Sequence, residues 1–218
     1  MIRRLTIRRF ALAASLALAS SALFATTYTL EPDYTQGVFR WNHLGFSSPA
    51  AQFAQGQGTL EYDQSDPSRS SVQVTIPLST LNTGVPALDD DFRSTDFFDT
   101  ARFPIATFKS TRVVKDAAPD RLKVTGDLTL HGVTKAVILE VTVVKIGTNP
   151  RTSLPTVGFD ATATLKRSDF GLGRYVPQVS DEIQLHLTSQ GVEARAYAEY
   201  LRVKKIPARS NPPAPERQ

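Results

Sequence analysis

The chain has no cysteine. Disulfides, thiolate metal sites, cysteine nucleophiles and a lipid anchor on an N-terminal cysteine are therefore excluded. Methionine and tryptophan occur once each. There is no phosphate-binding glycine loop and no Gly-x-Ser-x-Gly nucleophile motif. A long apolar run is also missing. The stretch from Phe10 to Phe24 is too short and too rich in Ala and Ser for a comfortable membrane span. Charge of one sign is not in excess either. The 25 basic residues outnumber the 21 acids, but Arg3, Arg4, Arg8 and Arg9 account for the whole difference. From Thr26 to Gln190 there are 15 basic and 18 acidic residues, and from Gly191 onward six and three. A nearly neutral domain with a basic tail lacks the concentrated positive surface that nucleic-acid binding requires.

What is present begins with a leader. Arginine pairs, an apolar stretch and then small residues read as a secretory signal over residues 1–25, cut near Ala22–Ala25. The expected destination is the periplasm. The arginine pairs lack a full twin-arginine motif, so a general secretory route is the simpler expectation. Removing 25 of 218 residues leaves 193, enough for one domain with its own core.

The clearest local pattern runs from Leu122 to Val144. Leu122, Val124, Leu128 and Leu130 alternate with Lys123, Thr125, Asp127 and Thr129. Period two places one set on an apolar face. A turn is predicted over His131–Thr134, where Gly132 can take a positive φ. The return strand carries Val137, Leu139, Val141 and Val143 on one face, with Ala136, Ile138, Glu140 and Thr142 on the other. Ile138 there predicts that something covers part of the outside. A lone hairpin is marginal in water, so further strands are required. Candidates lie at Thr27–Glu31, Val38–His43, Phe53–Tyr62, Ser71–Pro77, Ile105–Lys115, Thr156–Lys166 and Asp181–Ser189. Gly56 and Gly58 suggest a bulge or a close approach in the third of these.

Leu78 to Phe103 has no strand period. Pro86-Ala-Leu-Asp-Asp-Asp-Phe-Arg predicts a short helix, with proline near its start and acids in its first turn. Thr95–Asp99 could form a second helical turn. The expected fold is all-β: an eight-stranded antiparallel barrel over residues 26–190, with a short helical insertion around 85–99. Residues 191–218 form a basic, Pro-rich tail. Ala194–Val203 could be a helix or a strand extension, and Ser210–Gln218 is expected to be disordered.

Several segments together resemble the YceI-like family of exported lipid-binding proteins. They are Trp41-Asn42-His43-Leu44-Gly45, Gly58-Thr59-Leu60-Glu61-Tyr62-Asp63, Ser70–Ile76, Asp90-Asp91-Phe92-Arg93-Ser94-Thr95-Asp96-Phe97-Phe98-Asp99, Phe103-Pro104, Thr107–Ser110, Thr125–Thr134, Arg167-Ser168-Asp169-Phe170-Gly171-Leu172 and Asp181-Glu182. The resemblance covers about Tyr28 to Ser189, in order. It implies a lipocalin-like barrel that holds an isoprenoid or another long apolar chain. It implies no cofactor and no catalysis, and it permits a homodimer. Asn42 stands where many relatives are basic, and Gly173-Arg174-Tyr175 replaces a stretch that often carries Trp. Both departures bear on the head group.

The residues themselves allow two interiors. An eight-stranded barrel can fill with its own side chains or hold one slim ligand. Small residues on the inward faces (Gly126, Ala161 and Ala163) favour a cavity. So do the aromatics of the 78–103 segment, which could line or close a mouth. The expected ligand-facing set is Phe39, Trp41, Phe46, Phe53, Phe92, Phe97, Phe98, Phe103, Leu128, Leu130, Phe159 and Phe170. A charged head would stay at the rim, where His43, Arg93 and Arg174 are the candidate partners. His43, His131 and His186 show no metal-ligand spacing, and no metal site is expected. Two other readings stay open. One is a barrel enzyme for a small apolar substrate with His43 as its base. The other is an interaction protein using the outer face and the tail, which could also touch anionic lipid surfaces.

Overall fold

The structure, a computed structural model, describes residues 25–204. All but the last residue of the expected leader, and the stretch Ser210–Gln218, lie outside the described residues. Ten strands form one antiparallel sheet: β1 (Thr26–Leu30), β2 (Gln36–Arg40), β3 (Ala50–Phe53), β4 (Gln57–Tyr62), β5 (Ser71–Pro77), β6 (Ile105–Lys115), β7 (Arg121–Leu130), β8 (Val133–Thr148), β9 (Pro155–Lys166) and β10 (Glu182–Glu193). The order β1-β4-β5-β6-β7-β8-β9-β10 returns to β1, which closes the ring at eight. Closure leaves these eight strands without a free edge. β2 pairs with β10 beyond β1, and β3 pairs with β2. Thus β1 with β2, and β3 with β4, are two staves of the barrel, each interrupted once.

Both interruptions fall at one level. Pro32 opens a 3-10 turn over Pro32–Tyr34 that ends the first half of its stave. Opposite it, Gln55 takes φ +59° and Gly56 donates its N–H to the Thr35 carbonyl at 2.9 Å. A Cβ on Gly56 would stand 2.6 Å from the Thr35 methyl, so only glycine fits. The segment that alternation predicts as one strand, Phe53–Tyr62, is therefore two, and the glycine marks a close approach.

The central hairpin turns more tightly than expected. Leu130 pairs directly with Val133, leaving His131 and Gly132 as a two-residue loop with φ +52° and +74°. Positive φ at both positions matches the right-handed twist of the flanking strands. Val137, Leu139 and Val141 are buried on the inner face. Ile138 is not covered as expected; it is 56% exposed on the outside.

The connections divide the barrel into two ends. At one end, Tyr28, Leu30 and Val157 are buried side by side around Gly191, and Val192, on the opposite face of β10, is almost fully buried as well. α2 (Ala194–Lys204) follows β10 here and packs on β1 and β10. The other end carries the β2–β3 loop, the long segment with α1 (Pro86–Arg93), the His131–Gly132 turn and the loop after β9. Thr95–Asp99 forms hydrogen-bonded turns rather than a second helix.

Candidate functional site

The barrel is hollow. A cavity of about 880 Å³ runs along its axis, near the upper end of the range for small-molecule sites. The wall is built by the inward half of each alternating strand. Phe108 and Val113 come from β6, Leu122, Val124, Leu128 and Leu130 from β7, and Val137, Leu139 and Val141 from β8. Phe159, Ala161 and Leu165 come from β9, and Ile183, Leu185 and Leu187 from β10. Besides Ser70, Ser71 and Asp160, a short polar strip interrupts this wall where β2 meets β10. It holds Thr35, Gln36, Thr188 and Ser189, with the Thr35 and Ser189 hydroxyls 3.0 Å apart. Ala161 leaves open space as expected. Gly126 does not: it makes room for the Phe108 ring, whose Cζ would lie 2.4 Å from a Cβ there.

The mouth is framed by aromatic rings. Phe39 stacks on Phe53 at 5.5 Å and meets Trp41 at 5.7 Å. Trp41 meets Phe92 of α1 at 5.4 Å, Phe92 meets Phe97 at 5.2 Å, and Phe53 takes Phe98 edge-on at 5.4 Å. Such pairs are attractive beyond the area they bury. They fasten the 78–103 segment across the barrel end. Asp89 anchors the start of α1: its carboxylate accepts from the Thr83 amide and hydroxyl, each at 2.6 Å. These bonds, led by the hydroxyl's, hold its pKa below the usual carboxylate value.

Ten of the twelve expected ligand-facing residues lie on the cavity wall: Phe39, Trp41, Phe53, Phe92, Phe97, Phe98, Leu128, Leu130, Phe159 and Phe170. Two do not. Phe103 turns away to pack on the hairpin turn, edge-on to His131 at 4.9 Å and against Gly132. Phe46 stands at the tip of the β2–β3 loop, 91% exposed. Of the three head-group candidates, His43 and Arg174 border the cavity. Arg93 does not; its guanidinium donates to the Leu81 carbonyl at 2.7 Å and faces Asp90 at 3.5 Å, which ties α1 to the preceding loop. Arg174 is already paired, 2.5 Å from Asp96 and stacked on Tyr175. His131 bonds the Phe170 carbonyl from its turn, and His186 is exposed on β10.

Alternation could not single out Arg167, which organises the mouth. Its guanidinium donates to the carbonyls of Ser180, Val179, Arg174 and Leu172, all in the loop that follows β9. Burial pushes its pKa down, and Asp181 opposes that shift. The sequence signals it only as a charged residue at a strand end, within the family-like segment Arg167–Leu172.

Residues 28–190 match the YceI-like domain. Protein YceI of Escherichia coli O157:H7 is 35% identical over 184 residues, which span 84% of this chain and 95% of that protein. Among solved structures, BcnA of Burkholderia cenocepacia superposes with a TM-score of 0.63 at 26% identity, over 71% of this chain and 95% of its own. A polyisoprenoid-binding domain from Saccharophagus degradans, at 17% identity, shares the fold with a TM-score of 0.60 over 77% of this chain and 99% of its own. Barrel closure, the hollow interior and these matches agree: the chain belongs to the YceI-like family.

Proposed function

We propose that the protein is a periplasmic carrier that takes a long apolar chain, an isoprenoid or a similar lipid, into the barrel and leaves its polar end at the mouth. The observation that carries this reading is the 880 Å³ cavity with a wall of aliphatic and aromatic side chains. Transfer of chain from water gains ~0.8 kcal/mol per CH₂ group. Ordering the chain and losing its solubility in membrane offset much of that gain. The fold shared with a polyisoprenoid-binding domain supports the assignment. An anionic head is too costly to bury unpaired; His43 lies at the rim to meet it, and Arg174 does so by exchanging Asp96 for the head. The reading requires no covalent chemistry.

Trp41 is the only tryptophan and lies on the cavity wall. Its emission is expected to change when a long isoprenoid alcohol is added and to stay constant with a short water-soluble alcohol. Mass spectrometry of solvent extracts should identify a co-purified long-chain lipid. Empty extracts together with an unresponsive Trp41 would remove the proposal.

A further inference from the structure

Phe46 was expected inside the barrel and is found outside it, and this displacement has a pattern. Leu44 is 49% exposed, Phe46 91%, Tyr175 56% and Val176 37%. All four lie on two loops at the open end. The loops are joined: the Leu44 amide donates to the Gln178 carbonyl at 3.2 Å, the Ser180 amide to the Asn42 carbonyl at 3.0 Å, and His43 bridges Val179. Their neighbours His43, Ser47, Arg174 and Val179 border the cavity, as does Tyr175 itself. The exposed apolar groups therefore stand together on one side of the mouth, and Asp91 and Asp96 of the 78–103 segment also border the cavity.

The tip is rigid. Leu44 and Gly45 have φ +57° and +78°, the Phe46 amide closes on the His43 carbonyl at 3.0 Å, and the Asn42 side chain accepts from Gly45 at 2.7 Å. A leucine in the left-handed region is strained, and a phenylalanine in water is unfavourable. Nothing in the fold of the barrel requires either residue. Charge completes the description. Residues 42–49 contain no Asp, Glu, Lys or Arg, and residues 171–180 contain only Arg174, which Asp96 neutralises. Phenylalanine, leucine, tyrosine and uncharged polar groups on this side of the opening are the composition that suits a membrane–water interface. The basic helix α2 is unsuited to the same contact, because it begins at the closed end, where Arg202 is paired with Glu199.

We propose that this rim docks on a lipid bilayer, with Leu44, Phe46, Tyr175 and Val176 entering the interface so that the cavity opens onto the acyl region. The occupant is a zwitterionic bilayer surface, and the attraction is apolar rather than electrostatic. The proposal deepens the lipid-carrier reading and rests on it for its purpose.

The test uses the chain from Thr26 to Gln218, which holds every described strand and helix, and phosphatidylcholine vesicles in a flotation assay. The wild-type chain is expected to float with the vesicles, with little change between low and high salt. Leu44→Asn with Phe46→Ser should lower the partition coefficient at least ~10-fold, since asparagine tolerates the left-handed turn and position 46 supports no packing. The chain has no cysteine, so an environment-sensitive dye at Ser48→Cys reports the rim, and one at Thr148→Cys the closed end. Only the first should shift to the blue on vesicles. Three outcomes overturn the inference: flotation unchanged in the double variant, a shift at Thr148→Cys alone, or no flotation but a concentration-dependent dimer that the double variant loses. Isoprenoid uptake is measured on the same samples. Uptake without flotation rejects the rim contact and leaves the carrier reading intact, whereas loss of uptake in the wild type rejects the carrier.

Discussion

The two ends of this barrel are made from the same strands and solve opposite problems. At the closed end, Tyr28 and Val157 are buried side by side over Gly191 and exclude solvent by packing. The adjoining turn after β4 is tied to Asp63, whose carboxylate is almost covered and accepts from Ser65, Asp66 and Arg69. At the mouth the backbone is irregular, and its carbonyls are gathered by Arg167. Apolar surface is displayed there rather than buried. Packing can seal an end only where short connections bring strands close enough for side chains to touch. Where a 27-residue connection between β5 and β6 crosses the opening, rings and a guanidinium hold the loops apart instead.

The sharpest way to break this contrast is Arg167→Met. The stem stays and the donors go, leaving four carbonyls without their partner. A loss of about 2–4 kcal/mol in stability is expected. Hydrogen exchange should quicken in residues 171–180 and not in the β1–β10 pairing. Uniform quickening would mean that the two ends are not independent.

A smaller effect separates solid from hollow. Val157→Phe forces a ring into the packed end and should cost about 1–3 kcal/mol. Ala161→Phe inserts the same ring into the cavity. It should change stability by less than about 1 kcal/mol while blocking uptake of an isoprenoid. Chemical denaturation of both variants decides it, and equal losses would count against an open interior.

The mildest effect concerns pH. Hydrogen bonds from Ser65, then from the Asp66 amide and from Arg69, hold the Asp63 carboxyl well below the usual carboxylate range. A depressed folded-state pKa adds stability that is complete above the unfolded value, about 3.9, and is lost as pH falls toward the folded one. The Asp63→Asn variant should thus have a lower Tm than wild type at pH 7. Its Tm should also decline less steeply between pH 4 and more acidic conditions. Parallel curves in thermal scans would show that the knot at the closed end does not depend on this charge.

Much of the fold is legible without coordinates. Leu122–Leu130 and Val137–Val143 announce their inner face by alternation, and His131-Gly132 announces the turn. Proline and three acids mark α1. The site is legible only in part. Phe46 and Phe53 both lie near strand ends, yet one is at a loop tip and the other meets Phe98, because the two-residue left-handed turn at Leu44–Gly45 throws Phe46 out of the β2–β3 loop, whereas Phe53 is held within β3. Arg93 and Arg167 are both charged residues at element ends, and only folding reveals that the first secures a helix and the second a loop.

By itself the sequence determined which residues face inward, because the pleat repeats every two residues regardless of context. It also determined that enough strands exist to close a ring. The tertiary structure alone decided that the ring is hollow, which end opens, and which aromatics leave the interior. Those outcomes depend on how far apart opposite staves stand once curvature and connections are set, a distance that no local pattern encodes.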